Sequence, residues 1–240
     1  MNSILFGNGY WANIVKKKII GLTNLVAVVD SNTSYNLGNI DIAFICSSTD
    51  SHYHIIKDCL DSNIKYLFCT KPFTGNYDKA KELFDKATQK GISIFVDNLF
   101  LFRKEIMNIE ARDMRNIHFY WEKTNTRENL IDSLLYHDLY LLLKWSRSNK
   151  WEVTYKHISD NALLLFIDNH YQKCCFEYRI DCINEKVIRI DDHTIYLSTP
   201  QNDPLNECIT HILDDSIDYD LSKKVTLDTL RLMDNIKKQL

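Results

Sequence analysis

Near its N-terminus the chain reads Ser3-Ile4-Leu5-Phe6-Gly7-Asn8-Gly9-Tyr10-Trp11-Ala12. The apolar run ends at Gly7, and a helical pattern follows over residues 11–20. The turn fits G-x-G-x-x-[GA], in which Gly7 allows a tight turn, Gly9 lets a pyrophosphate approach the backbone, and Ala12 lets the helix pack close to a sheet. This order predicts a strand, a glycine turn and a helix whose N-terminus binds phosphate.

An acidic residue closes the next apolar run. Asp30 follows Leu25–Val29, and its carboxylate could accept hydrogen bonds from both adenine-ribose hydroxyls of a dinucleotide. The carboxylate would repel a 2′-phosphate, and Asn32 and Thr33 provide no arginine to hold one. We therefore expect NAD in preference to NADP; a glycine turn that serves another ligand is the alternative.

Strand-like and helix-like segments alternate over the first hundred residues. This alternation predicts an N-terminal doubly wound parallel sheet, the Rossmann fold. The expected strands are 3–6, 25–29, 40–46, 66–69 and 92–96, and the expected helices are 11–20, 52–62 and 76–89.

The pattern changes after residue 102, where we expect a smaller α+β domain with an antiparallel meander. We therefore predict two domains, 1–102, which would bind the dinucleotide, and 103–240. The expected strands are 116–122, 151–158, 162–168, 174–182, 186–191 and 193–198, and the expected helices are 104–114, 130–146, 204–214 and 225–238.

Composition excludes several classes of protein. Lys+Arg 29 against Asp+Glu 32 gives a net charge of −3, so the basic excess of a nucleic-acid or membrane-surface protein is missing. The seven cysteines, Cys182 among them, are odd in number and form no CxxC, which favours reduced thiols in the cytoplasm. The sequence also predicts no membrane span, no signal peptide and no metal site.

Several segments, taken in order, resemble the family of sugar oxidoreductases that includes glucose–fructose oxidoreductase and inositol dehydrogenase. Gly7–Trp11 is similar to the family's GxGYWG opening, and Cys46–His52 is similar to its A-T-P-x-x-x-H. Thr70-Lys71-Pro72 stands where the family has E-K-P. Residues 95–102 and Tyr136–Leu139 resemble V-D-H-T-F-L-Y and P-H-D-L of a branch linked to sugar nucleotides.

The resemblance implies a set of site residues. Lys71 and His137 would be the catalytic pair at the reacting oxygen; the alternatives are an exposed turn lysine and a core histidine. Asn98 and Tyr136 would join Lys71 and His137 in binding substrate. The residues implied for the cofactor are Gly7, Gly9, Tyr10, Trp11, Ala12, Asp30, Ser47, Ser48, His52 and Lys71.

The sequence departs from the family pattern at Thr70, Ser47-Ser48, Asn98 and Ser133. The resemblance implies an NAD(H)-dependent oxidoreductase that acts by hydride transfer on a nucleotide-linked sugar and forms a homo-oligomer. It also implies that domain 103–240 serves substrate binding and oligomerisation. The departures favour an alternative, a catalytically degenerate dinucleotide-binding protein that serves as a regulatory or assembly partner. A dehydratase or epimerase that recycles its cofactor is a third hypothesis.

Overall fold

The structure, a computed structural model, describes residues 1–109, 113–124, 130–146, 148–181 and 183–239. The side chain of Ser133 and all of Cys182 lie outside the described part, and so do the predictions that involve them. By proximity of Cα atoms the described chain divides into two units. The first holds residues 1–99 and 205–227, and the second holds the remainder. The predicted division into domains 1–102 and 103–240 stays a prediction.

The first unit contains a five-stranded parallel sheet flanked by helices, which confirms the predicted fold class. The strand order is β2-β1-β3-β4-β5. The strands are β1 Asn2–Phe6, β2 Asn24–Val29, β3 Ile42–Ile45, β4 Tyr66–Cys69 and β5 Ser93–Val96. The helices between them are α1 Tyr10–Ile19, α2 Thr49–Leu60 and α3 Tyr77–Lys90.

The strand order reverses between β1 and β3, which is where open α/β sheets bind ligands, beyond the carboxyl ends of the strands. The strands are apolar on both faces because helices cover both sides of such a sheet. Phe44 and Phe68, from neighbouring strands, have ring centroids 5.6 Å apart, and Phe68 lies 6.3 Å from Phe95 of the next strand. This aromatic row fixes the register of β3, β4 and β5 beneath the ligand edge.

Local signals define the helix ends in this unit. Asn76 caps α3, because its side chain accepts a hydrogen bond of 3.0 Å from the Lys79 N–H. Gly91 ends the helix with φ +66°, as predicted for a C-cap glycine. Ala80, Leu83, Phe84 and Ala87 form the buried face of α3, as the periodicity indicates.

The second unit is built on a six-stranded sheet in the order β11-β10-β6-β9-β8-β7. Its strands are β6 Asn116–Lys123, β7 Glu152–Ser159, β8 Ala162–Asp168, β9 Lys173–Ile180, β10 Glu185–Ile190 and β11 His193–Tyr196. Two helices are α4 Lys104–Met107 and α5 Tyr136–Trp145, the latter preceded by a wider π-helical turn, Ile131–Leu135. Helices α6 Pro204–Leu213 and α7 Tyr219–Gln239 complete the described chain.

The predicted antiparallel meander is wrong in one respect. β7, β8 and β9 do form a meander, but β6 lies between β9 and β10 and pairs with β9 in parallel. The early strand is thus inserted into the middle of the later ones, so most neighbours in the sheet are antiparallel and one pair is parallel.

Two predicted helices have different bounds. The helix expected over 104–114 ends after Met107, where Asn108 leaves the helical region of backbone conformation. The helix expected over 225–238 begins at Tyr219, because Asp218 caps it with a hydrogen bond of 2.9 Å from the Leu221 N–H.

Candidate functional site

The turn after β1 is built for a glycine at its first position. Gly7 has φ +116°, and a Cβ there would lie 2.6 Å from the carbonyl oxygen of Cys46. The Gly7 N–H donates a 2.7 Å hydrogen bond to Val29 O, so the turn is also held at the end of β2. Any larger residue would push the turn away from the loop that follows β3.

The second glycine leaves the helix N-terminus open. Gly9 is the N-cap of α1, and no side chain caps the helix there. A Cβ built at Gly9 meets no heavy atom within 4 Å, so space remains beside the first N–H groups of the helix. No acidic residue lies in the first turn of α1. These features fit a phosphate bound at the helix N-terminus.

The three residues after Gly9 differ in burial. Tyr10 is 74% exposed, Trp11 is half-buried, and Ala12 is 1% exposed against the sheet. The burial of Ala12 agrees with the close helix packing expected from the motif. Trp11 lies in the first turn of α1, so its fluorescence can report on ligands bound at the glycine turn.

Asp30 is exposed just past β2, and its carboxylate is already oriented. It accepts hydrogen bonds from the Thr33 hydroxyl at 2.7 Å and the Asn32 N–H at 3.0 Å. These bonds, that from Thr33 first, lower the pKa of Asp30. A pre-oriented carboxylate in this position fits the two hydroxyls of a ribose.

The loop after β3 brings together Ser47, Ser48 and His52. The Ser51 hydroxyl donates to Ser47 Oγ at 2.7 Å, and Ser48 is the N-cap of α2. His52 is 1% exposed, and burial lowers its pKa. Its ring nitrogens lie 3.1 Å from Ser47 O and 3.2 Å from Pro72 O, so His52 spans the loops after β3 and β4.

Lys71 and Asn98 lie at the same edge of the sheet, after β4 and β5. Lys71 is half-buried, and the peptide bond that follows it, to Pro72, is cis. Thr70 is buried and donates through both its N–H (2.9 Å) and its hydroxyl (3.2 Å) to Ile45 O. Asn98 is 0% exposed. The sheet therefore places the predicted lysine at the ligand edge, two strands from the glycine turn.

Asp97, directly before Asn98, is a site residue that the sequence prediction missed. It is 6% exposed at the end of β5, and its carboxyl group interacts with the charge of Lys71. Burial raises the pKa of Asp97 to about 7, an effect that the positive charge of Lys71 opposes. An acidic residue just past a strand of a parallel sheet is a signal that could have identified it.

His137 lies in the second unit, in the first turn of α5, within an aromatic cluster. Its ring centroid is 5.4 Å from that of Phe100, 6.0 Å from Trp121 and 6.4 Å from Tyr136. Tyr136 is fully buried at 0% exposure. Trp121 and Phe100 were not predicted as site residues. The roles of His137 and Tyr136 stay predictions.

A buried ion pair lies beside this cluster. Lys186 of β10 donates to the carboxylate of Asp138, which also accepts a 2.9 Å hydrogen bond from the Tyr178 hydroxyl. Lys186 and Asp138 are 3% and 0% exposed. The Lys186 ammonium lies 3.7 Å from the ring centre of Trp121. The pair therefore fixes α5 against the sheet and packs under the ring that contacts His137.

Neither a metal cluster nor a membrane helix is found in the described part of the chain. Within those residues, no group of three or more His, Cys, Asp or Glu side chains is placed to hold a metal ion. No described helix is both long enough and apolar enough to cross a bilayer. Six described cysteines, all but Cys182, are free thiols.

Comparison with known sequences confirms the resemblance stated above. The model of an oxidoreductase family with an NAD-binding Rossmann fold matches residues 17–98. An uncharacterised oxidoreductase of Schizosaccharomyces pombe is 37% identical over 73 residues, which are 28% of this chain and 20% of that protein. A second one from the same yeast is 32% identical over 75 residues, 29% of this chain and 20% of that protein. The matched stretch thus spans about a fifth of these curated relatives.

Solved structures share the fold over nearly the whole chain. UDP-N-acetylglucosamine 3-dehydrogenase from Acidithiobacillus ferrooxidans has a TM-score of 0.84 at 13% identity, covering 98% of this chain and 96% of its own. A Thermus thermophilus dehydrogenase in complex with NAD and UDP-GlcNAcA has a TM-score of 0.81 at 14% identity, covering 97% and 93%. These identities show a common fold, and residues 17–98 match an NAD-binding oxidoreductase family.

Proposed function

We propose that this protein is an NAD(H)-dependent oxidoreductase that interconverts a carbinol and a ketone on a nucleotide-linked sugar, with a UDP-linked sugar as the best-supported substrate. The observation that carries the proposal is the edge of the parallel sheet. There the open N-terminus of α1 at Gly9, the exposed carboxylate of Asp30 and the half-buried Lys71 follow strands of one sheet.

The cofactor side of the proposal follows from the residues of this edge. The N-terminus of α1 would hold the pyrophosphate through its free N–H groups, and Asp30 would bind the adenine ribose. The loop at Ser47 and Ser48 would border the same crevice, since it follows β3 at the point where the strand order reverses. The bound nicotinamide would supply hydride acceptance or donation. The negative charge of Asp30 supports NAD over NADP.

The substrate side rests on Lys71, Asn98, Tyr136 and His137. An ammonium or amine at Lys71 can hydrogen-bond the reacting oxygen and move its proton. His137 would be its acid/base or orienting partner. A UDP-linked substrate is supported by the structural neighbours, one described as a UDP-N-acetylglucosamine 3-dehydrogenase and another as bound to NAD and UDP-GlcNAcA.

The test is turnover. Purified protein is incubated with NAD⁺ and a panel of UDP-linked hexoses, N-acetylhexosamines and their uronic acids, and NADH formation is followed by absorbance. We expect one substrate class to react, and Lys71→Met and His137→Ala each to lower kcat about 100-fold or more. Lys65→Met and His54→Ala, at exposed positions of the same unit as Lys71, are the matched controls.

Three other outcomes of this experiment would contradict the proposed function or favour one of its alternatives. Full turnover in both Lys71→Met and His137→Ala would contradict the proposed catalytic pair. Tight NADH binding without conversion of any sugar would favour the regulatory or assembly partner. Conversion of a sugar with no net change in NADH would favour the cofactor-recycling dehydratase or epimerase.

We also expect a homo-oligomer that uses the six-stranded sheet of the second unit. Tyr155 and Phe166 are 54% and 39% exposed on neighbouring strands β7 and β8, with ring centroids 5.9 Å apart. Exposed aromatic pairs of this kind are typical of protein interfaces. Light scattering should give a multiple of the 28.3 kDa chain mass, and Phe166→Glu should lower it. A monomeric wild-type protein would contradict this expectation.

A further inference from the structure

Asp97 occupies a defined position beside the turn that carries Lys71. Its N–H donates a 2.8 Å hydrogen bond to Cys69 O, which continues the β4–β5 ladder by one residue. The ladder pairs Cys69 with Val96, so Asp97 follows β5 just as Thr70 and Lys71 follow β4. Asp97 is therefore fixed at the ligand edge by backbone hydrogen bonding, whatever its side chain does.

The carboxyl group of Asp97 is buried, and one of its two oxygens makes no hydrogen bond within the described residues. The residue is 6% exposed, and within the described residues its buried Oδ1 has no hydrogen-bond partner. The group accepts a hydrogen bond from the Leu99 N–H. A buried carboxylate that serves only the fold is normally fully hydrogen-bonded, because an unsatisfied buried charge is costly.

Lys71 is the charged side chain that acts on Asp97 among the described residues. Three thiols lie close enough for the negative charge of Asp97 to raise their pKa, Cys46 after β3, Cys69 on β4 and Cys208 on α6. Burial raises the pKa of each thiol far enough that all three remain neutral around pH 7. Lys71 brings the opposite charge from the turn after β4. Ionisation of Asp97 is thus coupled to the charge on Lys71.

We propose that Asp97 is a positioning residue that acts through Lys71: it holds the proton of the Lys71 ammonium, so that the Lys71 amine can take the proton of a substrate hydroxyl. This inference rests on the proposed function. The ionised pair, ammonium and carboxylate, holds the same number of protons as the neutral pair, amine and carboxylic acid. The buried pair can therefore present an amine at Lys71 without first losing a proton to water.

The proton balance of carbinol oxidation is then complete. A bound dinucleotide would accept the C–H hydride, and the O–H bond would break as its proton joins the Lys71 amine. The proton that Lys71 gave to Asp97 remains there as the carboxylic acid, and one proton returns to water after the ketone leaves. Ketone reduction follows the same path in reverse, with Asp97 beginning in its acid form.

The first test needs no substrate. Full-length protein labelled with ¹³C at aspartate carboxyl carbons is titrated by NMR, and Asp97→Asn identifies the resonance of Asp97 by its loss. We expect this resonance to titrate with a midpoint near pH 7, in line with the pKa of about 7 that burial produces. In Lys71→Met the midpoint should rise by about one unit or more, because the positive neighbour is lost.

Lys65→Met is the matched control, since Lys65 is an exposed lysine before β4, and it should leave the midpoint unchanged. A midpoint below about 5, or one that does not respond to Lys71→Met, would overturn the coupling of the pair. Asp97→Asn is nearly isosteric, and Asp97→Glu provides a second variant that keeps the carboxyl group.

The second test uses the reacting sugar. For oxidation, wild-type kcat should rise with pH through about 7, since the pair that holds one proton, as ammonium and carboxylate or as amine and carboxylic acid, is the form that can accept a second. Asp97→Asn should lose this rise and lower kcat about tenfold or more with unchanged NADH affinity, while Asp97→Glu should restore part of the rise. An unaltered pH profile in Asp97→Asn would overturn the proposal.

If no sugar reacts with the wild type, the proposed function fails, and the Asp97 resonance still decides whether the pair exists.

Discussion

Among single residues, the two turn glycines should respond differently to the same substitution. Gly7→Ala puts a Cβ 2.6 Å from Cys46 O at φ +116°, so it should destabilise the fold by about 1–3 kcal/mol. Gly9→Ala meets no heavy atom within 4 Å and should cost under about 1 kcal/mol. It should nevertheless weaken NADH binding about tenfold or more, because its Cβ fills the space of the phosphate.

Urea denaturation and NADH titration of both variants measure these two effects separately. Unchanged NADH affinity in a folded Gly9→Ala protein would mean that no phosphate lies against this turn. A Gly7→Ala protein as stable as the wild type would contradict the close contact between the turn and the loop after β3.

The carboxylate of Asp30 should determine the choice between the two dinucleotides. Asp30→Asn removes the charge that repels a 2′-phosphate, so the preference for NADH over NADPH should fall about tenfold. Asp78→Asn, which neutralises another exposed aspartate in the same unit, should leave the preference unchanged. Fluorescence titrations of both variants with both dinucleotides measure the ratio. An unaltered ratio in Asp30→Asn would exclude Asp30 from the ribose site.

The ionisation of Asp97 should also appear in protein stability. Burial raises its pKa from 3.8 to about 7, so the unfolded chain releases this proton at lower pH than the native protein. The group's contribution to stability is therefore full below about pH 4 and declines as the pH rises to about 7. Asp97→Asn removes that decline, so its unfolding free energy relative to wild type should rise by up to about 4 kcal/mol between pH 4 and 7. Urea denaturation across this range is the measurement, and a pH-independent difference would contradict the raised pKa.

Residue roles were predictable where spacing alone carries the chemistry. The positions of Gly7, Gly9 and Asp30 after two strands follow from the sequence and are seen in the structure, while their roles toward a dinucleotide stay predictions. Asp97 follows a strand in the same way, but its coupling to Lys71 depends on burial and on the neighbouring strand. The ion pair of Lys186 was not predicted, because nothing in the local sequence of Lys186 indicates that Asp138 lies across the interior from it.

For helices and strands, periodicity predicted most elements but not every neighbour. Alternation of apolar and polar residues identifies β6 as a strand, yet it does not say that β6 lies between β9 and β10. Pairing of distant strands depends on contacts across the whole unit. Helix ends were better predicted at Gly91, where a residue with a special backbone conformation marks the end, than at Asp218, whose cap lies in a polar segment.

The attachment of α5 to its sheet should depend on the buried ion pair. Asp138→Ala leaves the Lys186 ammonium buried without its counter-charge, so the free energy of unfolding should fall by about 3–5 kcal/mol. Replacement of both residues, Asp138→Leu with Lys186→Met, should recover much of this loss. Lys81→Ala breaks an exposed pair with Asp85 in a helix and should lower the free energy of unfolding far less, because solvent screens that pair. Denaturation midpoints that do not separate these variants would contradict the account of the pair.

Considered as a whole, the chain has one unit with a five-stranded parallel sheet and a second unit with a six-stranded sheet and helix α5, which carries His137. Its likeness to solved dehydrogenases extends over 98% of the chain in fold, while the oxidoreductase family model matches residues 17–98. This difference explains why the cofactor could be predicted from the sequence more directly than the sugar.

The most direct test of the account is a titration of the full-length protein with NADH and with NADPH, followed by quenching of tryptophan fluorescence. Trp11, in the first turn of α1, lies beside the expected phosphate site. The account predicts NADH binding at micromolar concentrations or below, at least about tenfold tighter than NADPH. Binding of neither dinucleotide would contradict it, because the glycine turn and Asp30 would then be structural features without a ligand.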